Sequence, residues 1–234
     1  MNDNFVFETS ERPSCLIVES KKLFPVRRIF CVGANYVAHV LEMGRNPERD
    51  PPFFFAKPPD AIVNADTILN ANIPYPPHTN NFHYEIEMVV TVGKTATNVE
   101  PEAAFNVIWG YGVGIDLTRR DLQKAAKDKG RPWELGKGFD KSAVISSISP
   151  VSIIGHPKEA RIWLAVNEVV KQDSNIDKLI WSVPEMISIL SKTMTLEPGD
   201  IIYTGTPEGV GPVKKGDKVT GGVDGLGEIS LSIS

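Results

Sequence analysis

The sequence predicts an α+β fold: a β-rich mixed sheet or β-roll with a few peripheral helices. Short apolar runs rich in β-branched and aromatic residues recur along the whole chain, Pro, Gly, Asn or Asp separate most of them, and few segments show helical periodicity. Strand and helix signals do not alternate, so a doubly wound βαβ sheet is not expected. With 234 residues and no internal repeat, low-complexity tract or Ser/Gly linker, the chain reads as one large domain. In this reading residues 26–234 form the domain, and residues 1–25 are an N-terminal arm packed on it.

Taken in order, the apolar runs place strands over 16–18, 29–32, 53–56, 86–92, 162–166, 201–203 and 229–233. RIWLAVNEVVKQD reads as a hairpin turning at Asn167 and Glu168. Ser182, Pro184 and Glu185 make a capping box that opens a helix whose apolar face is Met186, Ile187, Leu190 and Met194. A second box, Thr118 to Asp121, opens DLQKAAKDK, where only Leu122, Ala125 and Ala126 are apolar, so this helix is expected near the surface, ending at Gly130 and Pro132.

Lys plus Arg is 25 against 29 for Asp plus Glu, a net charge of −4, and no basic run is present. That balance argues against non-specific nucleic-acid binding, which needs basic surface to displace phosphate counterions. Cys15 and Cys31 lack metal-ligand spacing and make no disulfide framework, which fits a reducing, cytoplasmic setting. The start of the chain has no basic region followed by an apolar one. The most apolar stretch, 107–115, is short and broken by Gly110, Gly112 and Gly114, so neither a signal peptide nor a membrane helix is expected.

Chemistry concentrates in a few places. In FHYEIEMVVTVG, strand alternation puts His83, Glu85 and Glu87 on one face and Tyr84, Ile86 and Met88 on the other. The two carboxylates then stand a strand repeat of about 7 Å apart, and like charges so placed call for a hard cation or for water. For an isolated E-x-E a solvated strand face is the commoner explanation, and the spacing alone does not decide for a metal. Asp116 follows a glycine-rich strand and stands at a strand end, as a further carboxylate ligand or as part of the helix start. His39 and Glu42, three apart in NYVAHVLEMG, share a helical face, so Glu42 can hold the imidazole as a general base; a surface polar contact is the other reading. The following RNPERDPP has the composition of a mobile loop, which would make the pair's segment a lid. Lys137 is flanked by glycines in LGKGFD, and TGTPEGVG lacks the ending of a phosphate loop but offers backbone N–H groups to a carboxylate. Nucleophile-elbow, zinc-hydrolase and C-x-x-C motifs are absent.

From Ile29 onward, CVGANYVAHVLEMG, PPFFFAKP, FHYEIEMVV, GYGVGIDLTRRDLQ, KGRPWELGKGFD, WSVP and PGDIIYTGTPEGVGPV occur in the order that resembles the fumarylacetoacetate hydrolase family, within it the single-domain acylpyruvate hydrolases. The resemblance implies that Glu85, Glu87 and Asp116 bind Mg²⁺ or Mn²⁺, that His39 and Glu42 on a lid helix activate a water, and that Lys137 stabilises developing oxyanion charge. It places substrate and lid contacts on Arg120, Gln123, Gly205 and Thr206. It also implies a homodimer, a small 2-oxo acid substrate and no organic cofactor. Where many relatives carry a basic residue before Asn-Tyr, this chain has Ala34. ERDPPFFFAKPPDAIV, GRPWELGKGFD and IWSVPE look most like members acting on fumarylpyruvate, so the expected reaction is metal-dependent C–C hydrolysis to pyruvate and a carboxylic acid such as fumarate. Decarboxylation of oxaloacetate and isomerisation of a 2-oxo dioic acid use the same enolate logic and stand as alternatives, and a metal-stabilised binding protein is the non-catalytic one.

Overall fold

A computed structural model describes residues 6–8, 10–44 and 50–234. Residues 1–5 and 9 of the expected arm and residues 45–49 of the expected mobile loop lie outside the described residues. The chain begins with β1 (Ser14–Leu16), β2 (Leu23–Pro25), β3 (Arg28–Gly33), α1 (Val37–Glu42), β4 (Phe53–Lys57), β5 (Ile62–Asn64) and β6 (Ala71–Ile73). Next come β7 (Phe82–Tyr84), β8 (Ile86–Val92), β9 (Ile108–Asp116), β10 (Thr118–Arg119), α2 (Arg120–Asp128), α3 (Glu134–Lys137), β11 (Ala143–Ile145) and β12 (Ser149–Pro150). The last part carries α4 (Val151–Ile154), β13 (Arg161–Val166), β14 (Val169–Asn175), α5 (Val183–Thr193), β15 (Asp200–Tyr203), β16 (Gly211–Pro212), β17 (Lys218–Val223) and β18 (Gly227–Ile233).

The architecture is the β-rich mixed one that the sequence predicts. An eight-stranded sheet runs β4-β3-β15-β8-β9-β11-β5, with β12 paired to β9. Its β15–β3 and β11–β5 pairs are parallel, and the pairs flanking β8 and β9 are antiparallel. A five-stranded sheet, β14-β13-β17-β18-β6, packs against it, and a small sheet, β10-β7-β16, stands at one end.

β8 is buried along its whole length, so that Met88, Val89 and Val90 are all apolar and Glu87 and Thr91 are carried into the interior with them. Met88, Val90 and Val92 pack with Ile162, Leu164, Ile229 and Leu231 in the larger core. Val89 instead joins Cys15, Phe24, Cys31, Ile145, Ile201 and Tyr203 in a second core. β1 and β2 form a hairpin over that second core, tied down by Asn64, whose side chain bonds the backbone of both Ser14 and Leu16. Burying each large aliphatic side chain stabilises the fold by about 1.5–3 kcal/mol. The glycines of β9 have a packing reason: a Cβ on Gly114 would fall 2.4 Å from the Tyr203 ring. Tyr203 thus reaches across the sheet, where its hydroxyl donates to the Val144 carbonyl at 2.9 Å.

Local expectations fare differently. Asn167 and Glu168 take φ values of 49° and 68°, the left-handed pair that closes a two-residue hairpin between β13 and β14. The capping box at Ser182 and Glu185 forms and opens α5, but Met194 lies past the helix as its exposed C-cap. The first strand runs over Ser14–Leu16, earlier than 16–18. The box at Thr118 and Asp121 does not form: α2 starts at Arg120 with no side-chain cap, and Thr118 and Arg119 pair with β7 instead. Asp121 accepts from the Thr79 hydroxyl at 2.6 Å and the Asn80 N–H at 2.9 Å, so the would-be cap holds a neighbouring loop. Among the described residues, no helix is long and apolar enough to cross a membrane.

Candidate active site

The acidic residues meet where two strands leave the eight-stranded sheet together. Glu85 is the junction between β7 and β8, and Asp116 ends β9 just before the chain joins the small sheet as β10. The Asp116 N–H donates to the Glu85 carbonyl at 2.9 Å, and Glu87 lies opposite Gly114. One carboxylate oxygen from each of Glu85, Glu87 and Asp116 lies within 4.8 Å of the others, closer than the backbone strand repeat, because the side chains converge. All three residues are buried, so a solvated strand face is excluded.

Three cations face them. Lys137, fully buried, donates to Glu85 Oε2 at 2.7 Å, Asp116 Oδ2 at 2.6 Å and Thr118 Oγ1 at 2.7 Å, using all its ammonium protons. Lys57 Nζ lies 2.8 Å from Asp116 Oδ1 and donates to the carbonyls of Leu117 and Lys137. Arg120 pairs with Glu85 Oε1, donates to Gln123 Oε1 at 2.7 Å, and is backed by the His83 ring, itself held by Asn81.

The electrostatics follow from that arrangement. Burial opposes ionisation of Glu85, yet Lys137 and Arg120 outweigh it and hold its carboxyl well below the usual range. Burial also works against the Lys137 charge, but Asp116 and Glu85 keep its pKa above the ordinary lysine value. Burial and then Arg120 push His83 down to about 4, so it is a neutral partner. Glu87 goes the other way: burial, Asp116 and Glu85 push its carboxyl well above the usual range, although the Gly205 N–H donates to it at 2.6 Å. Three converging oxygen donors, one of them destabilised by its like-charged neighbours, suit a hard divalent cation.

α1 covers this floor. His39 is buried, and its Nδ1 lies 3.2 Å from Glu42 Oε2. A carboxylate only accepts, so the shared proton sits on Nδ1 and Nε2 is left as the basic nitrogen. The Gly209 N–H donates to both Glu42 oxygens at 3.1 and 3.2 Å, which ties α1 to the loop after β15. Gly209 has φ 89°, and a Cβ there would lie 2.0 Å from the Lys171 carbonyl, so only glycine fits. The start of α1 is pinned by Asn35, which donates to the carbonyls of Thr204 and Trp181 and accepts from the Trp181 N–H.

A cavity of about 290 Å³ lies between floor and cover. His39, Glu85, Glu87, Arg120, Gln123, Lys137 and Thr206 line it, Phe53, Phe55 and Trp133 form an aromatic wall, and Ala34 presents only a methyl group. Asp116 lies beneath the floor, Glu42 behind His39, and Gly205 behind Glu87. The loop read as a carboxylate cradle does hold carboxylates, but they are the protein's own Glu87 and Glu42. Thr206 Oγ1 accepts from Gln172. Sequence reasoning assigned no role to Lys57, although a lysine ending the apolar run FFFAK was a signal of a buried charge.

The sequence profile described as "Fumarylacetoacetate (FAA) hydrolase C-terminal" matches residues 28–234. A fumarylpyruvate hydrolase of Ralstonia sp. is 47% identical over 193 residues, covering 82% of this chain and 98% of the relative. The human mitochondrial oxaloacetate tautomerase FAHD1 is 40% identical over 88% of this chain and 91% of its own. Among solved structures, fumarylpyruvate hydrolase from Pseudomonas aeruginosa in complex with Mn²⁺ and pyruvate superposes with a TM-score of 0.97 at 50% identity, covering 98% of this chain and 99% of that one. This chain belongs to the fumarylacetoacetate hydrolase family.

Proposed function

We propose that the protein is a metal-dependent hydrolase that cleaves the C–C bond of acylpyruvates, fumarylpyruvate-like 2,4-dioxo acids in particular, to pyruvate and a carboxylic acid. The observation that carries this reading is the convergence of Glu85, Glu87 and Asp116 at and just beneath the floor of one cavity that His39, held by Glu42, lines from the other side. The Ralstonia relative bears that activity's name, and the Pseudomonas structure pairs the same fold with Mn²⁺ and pyruvate.

Glu85, Glu87 and Asp116 would hold Mg²⁺ or Mn²⁺, whose chemistry is to polarise the 2-oxo acid end and stabilise enolate charge. Lys57 and Lys137 fix the carboxylates in position, and the Lys137 charge would stabilise the negative charge that develops on the substrate. His39 Nε2 takes a proton from the water that attacks the distal carbonyl, while Glu42 holds the ring and stabilises its charged form. Arg120, with Gln123, orients the substrate's carboxylate end. Phe53, Phe55 and Trp133 exclude water around the acyl chain. A cytoplasmic homodimer working in aromatic catabolism belongs to the same proposal, and sedimentation velocity checks the dimer.

A second reading, enol–keto exchange or decarboxylation of oxaloacetate, is favoured by the tautomerase relatives. Decarboxylation needs neither an attacking water nor a general base, so the His39–Glu42 pair favours hydrolysis over it, whereas enol–keto exchange would use the same pair to carry its proton. A Mg²⁺-dependent assay of fumarylpyruvate, acetylpyruvate and oxaloacetate side by side tests the choice. Hydrolysis of the acylpyruvates with slow oxaloacetate conversion is expected; the reverse order would overturn the proposal.

A further inference from the structure

We propose that Lys127, on the outer turn of α2, receives the distal carboxylate of the substrate, so that the cavity selects acylpyruvates whose acyl group ends in a second carboxylate. The inference rests on the acylpyruvate reading above and adds a specificity subsite to it.

Arg120, Gln123, Lys124 and Lys127 all line the cavity, and their three- and four-residue spacing puts them in one row along α2. Arg120 is the inner end of the row, paired with the Glu85 carboxylate. At the rise of an α-helix, Lys127 stands about 10 Å further out. An extended fumarylpyruvate separates its terminal carboxyl carbons by roughly 8 Å with ordinary bond lengths. An acid with its 2-oxo end at the carboxylate floor therefore brings its other end within reach of the Lys127 ammonium. The wall between the two ends is the aromatic one of Phe53, Phe55 and Trp133, which suits a flat, conjugated acyl chain.

Charge points the same way. Inside the site, Glu85, Glu87 and Asp116 are matched by Lys57, Lys137 and Arg120, so a divalent ion leaves a surplus of positive charge that a dianionic substrate neutralises. At the rim, Lys124 is engaged with Asp128 at 2.5 Å. The Lys127 side chain has no ion pair or hydrogen bond among the described residues, and the residue is exposed at the cavity mouth. Basic residues are favourable at the end of any helix, which accounts for Lys129 and Arg131 as well. Of these basic residues in and beyond the last turn, Lys127 is the one that lines the cavity.

The test compares wild type, Lys127→Met, Lys127→Arg and Lys129→Met on fumarylpyruvate and on acetylpyruvate, which lacks the distal carboxylate. Lys127→Met should lower the fumarylpyruvate-to-acetylpyruvate ratio of kcat/KM about tenfold, through KM for fumarylpyruvate rather than kcat, and flatten the salt dependence of that KM. Lys127→Arg should restore the ratio and Lys129→Met should keep it. An unchanged ratio in Lys127→Met, or an equal fall in Lys129→Met, overturns the subsite while the hydrolase reading stands on the wild-type rates. Wild type cleaving neither acid would overturn the hydrolase reading and the subsite with it.

Discussion

Glu85, Glu87 and Asp116 stand on and beside strands that are hydrogen-bonded to neighbours on both edges, whereas His39 and Glu42 stand on a six-residue helix held mainly by Asn35 at its start and by Gly209 behind Glu42. A helix that short has no stability of its own. In the proposed reaction the floor has to hold charges at fixed positions, while the cover has to handle a proton and admit a substrate. Rigid strands suit the first task and a lightly tethered helix the second.

Breaking the floor should cost both stability and activity. Glu85→Ala leaves Lys137 and Arg120 facing an unfilled space, so a loss of about 3–5 kcal/mol in urea unfolding is expected. Turnover of fumarylpyruvate should fall about a thousandfold or more, the upper span for removing a preorganised electrostatic group. Lys57→Met keeps the side chain's length but removes the cation paired with Asp116 and the donor to two carbonyls; about 3 kcal/mol should be lost in the same unfolding measurement. Breaking the cover should separate the two quantities. His39→Ala should lower kcat at least about a hundredfold while changing unfolding free energy by no more than about 1 kcal/mol. A stability loss matching that of Lys57→Met would show that α1 belongs to the rigid framework after all.

The smallest effect lies at the outer start of α2. Burial pushes the Asp121 carboxyl up, but the Thr79 hydroxyl and the Asn80 and Leu122 N–H groups outweigh it and hold it below its ordinary value. Its folded pKa is depressed, so its contribution is fully present above the unfolded value of about 3.9 and is lost as pH falls through the folded value. Asp121 is partly exposed, so after screening the contribution is at most about 1 kcal/mol. Asp121→Asn should therefore flatten the acid limb of the stability–pH curve slightly, and chemical denaturation between neutral and acidic pH reads the difference.

Much of the fold was legible because its signals are local. The Asn167–Glu168 turn and the Ser182–Glu185 box are written in adjacent residues and form as written. The cap expected at Thr118 failed because both its members are engaged elsewhere: the Thr118 hydroxyl serves Lys137, and Asp121 serves Thr79 and Asn80. Within the site, E-x-E and the His39–Glu42 spacing were visible as patterns, but the convergence of Glu85 with Asp116 depends on two strands leaving one sheet at the same level. Lys57 was the least legible. Its partners Asp116, Leu117 and Lys137 are distant in sequence, and no local pattern encodes such a contact.

Calorimetric titration of Mn²⁺ into wild type, Glu85→Ala and His39→Ala tests the division between floor and cover most directly. His39→Ala should bind Mn²⁺ as wild type does, and Glu85→Ala should bind it at least about a hundredfold more weakly. Wild-type affinity in Glu85→Ala would contradict the account.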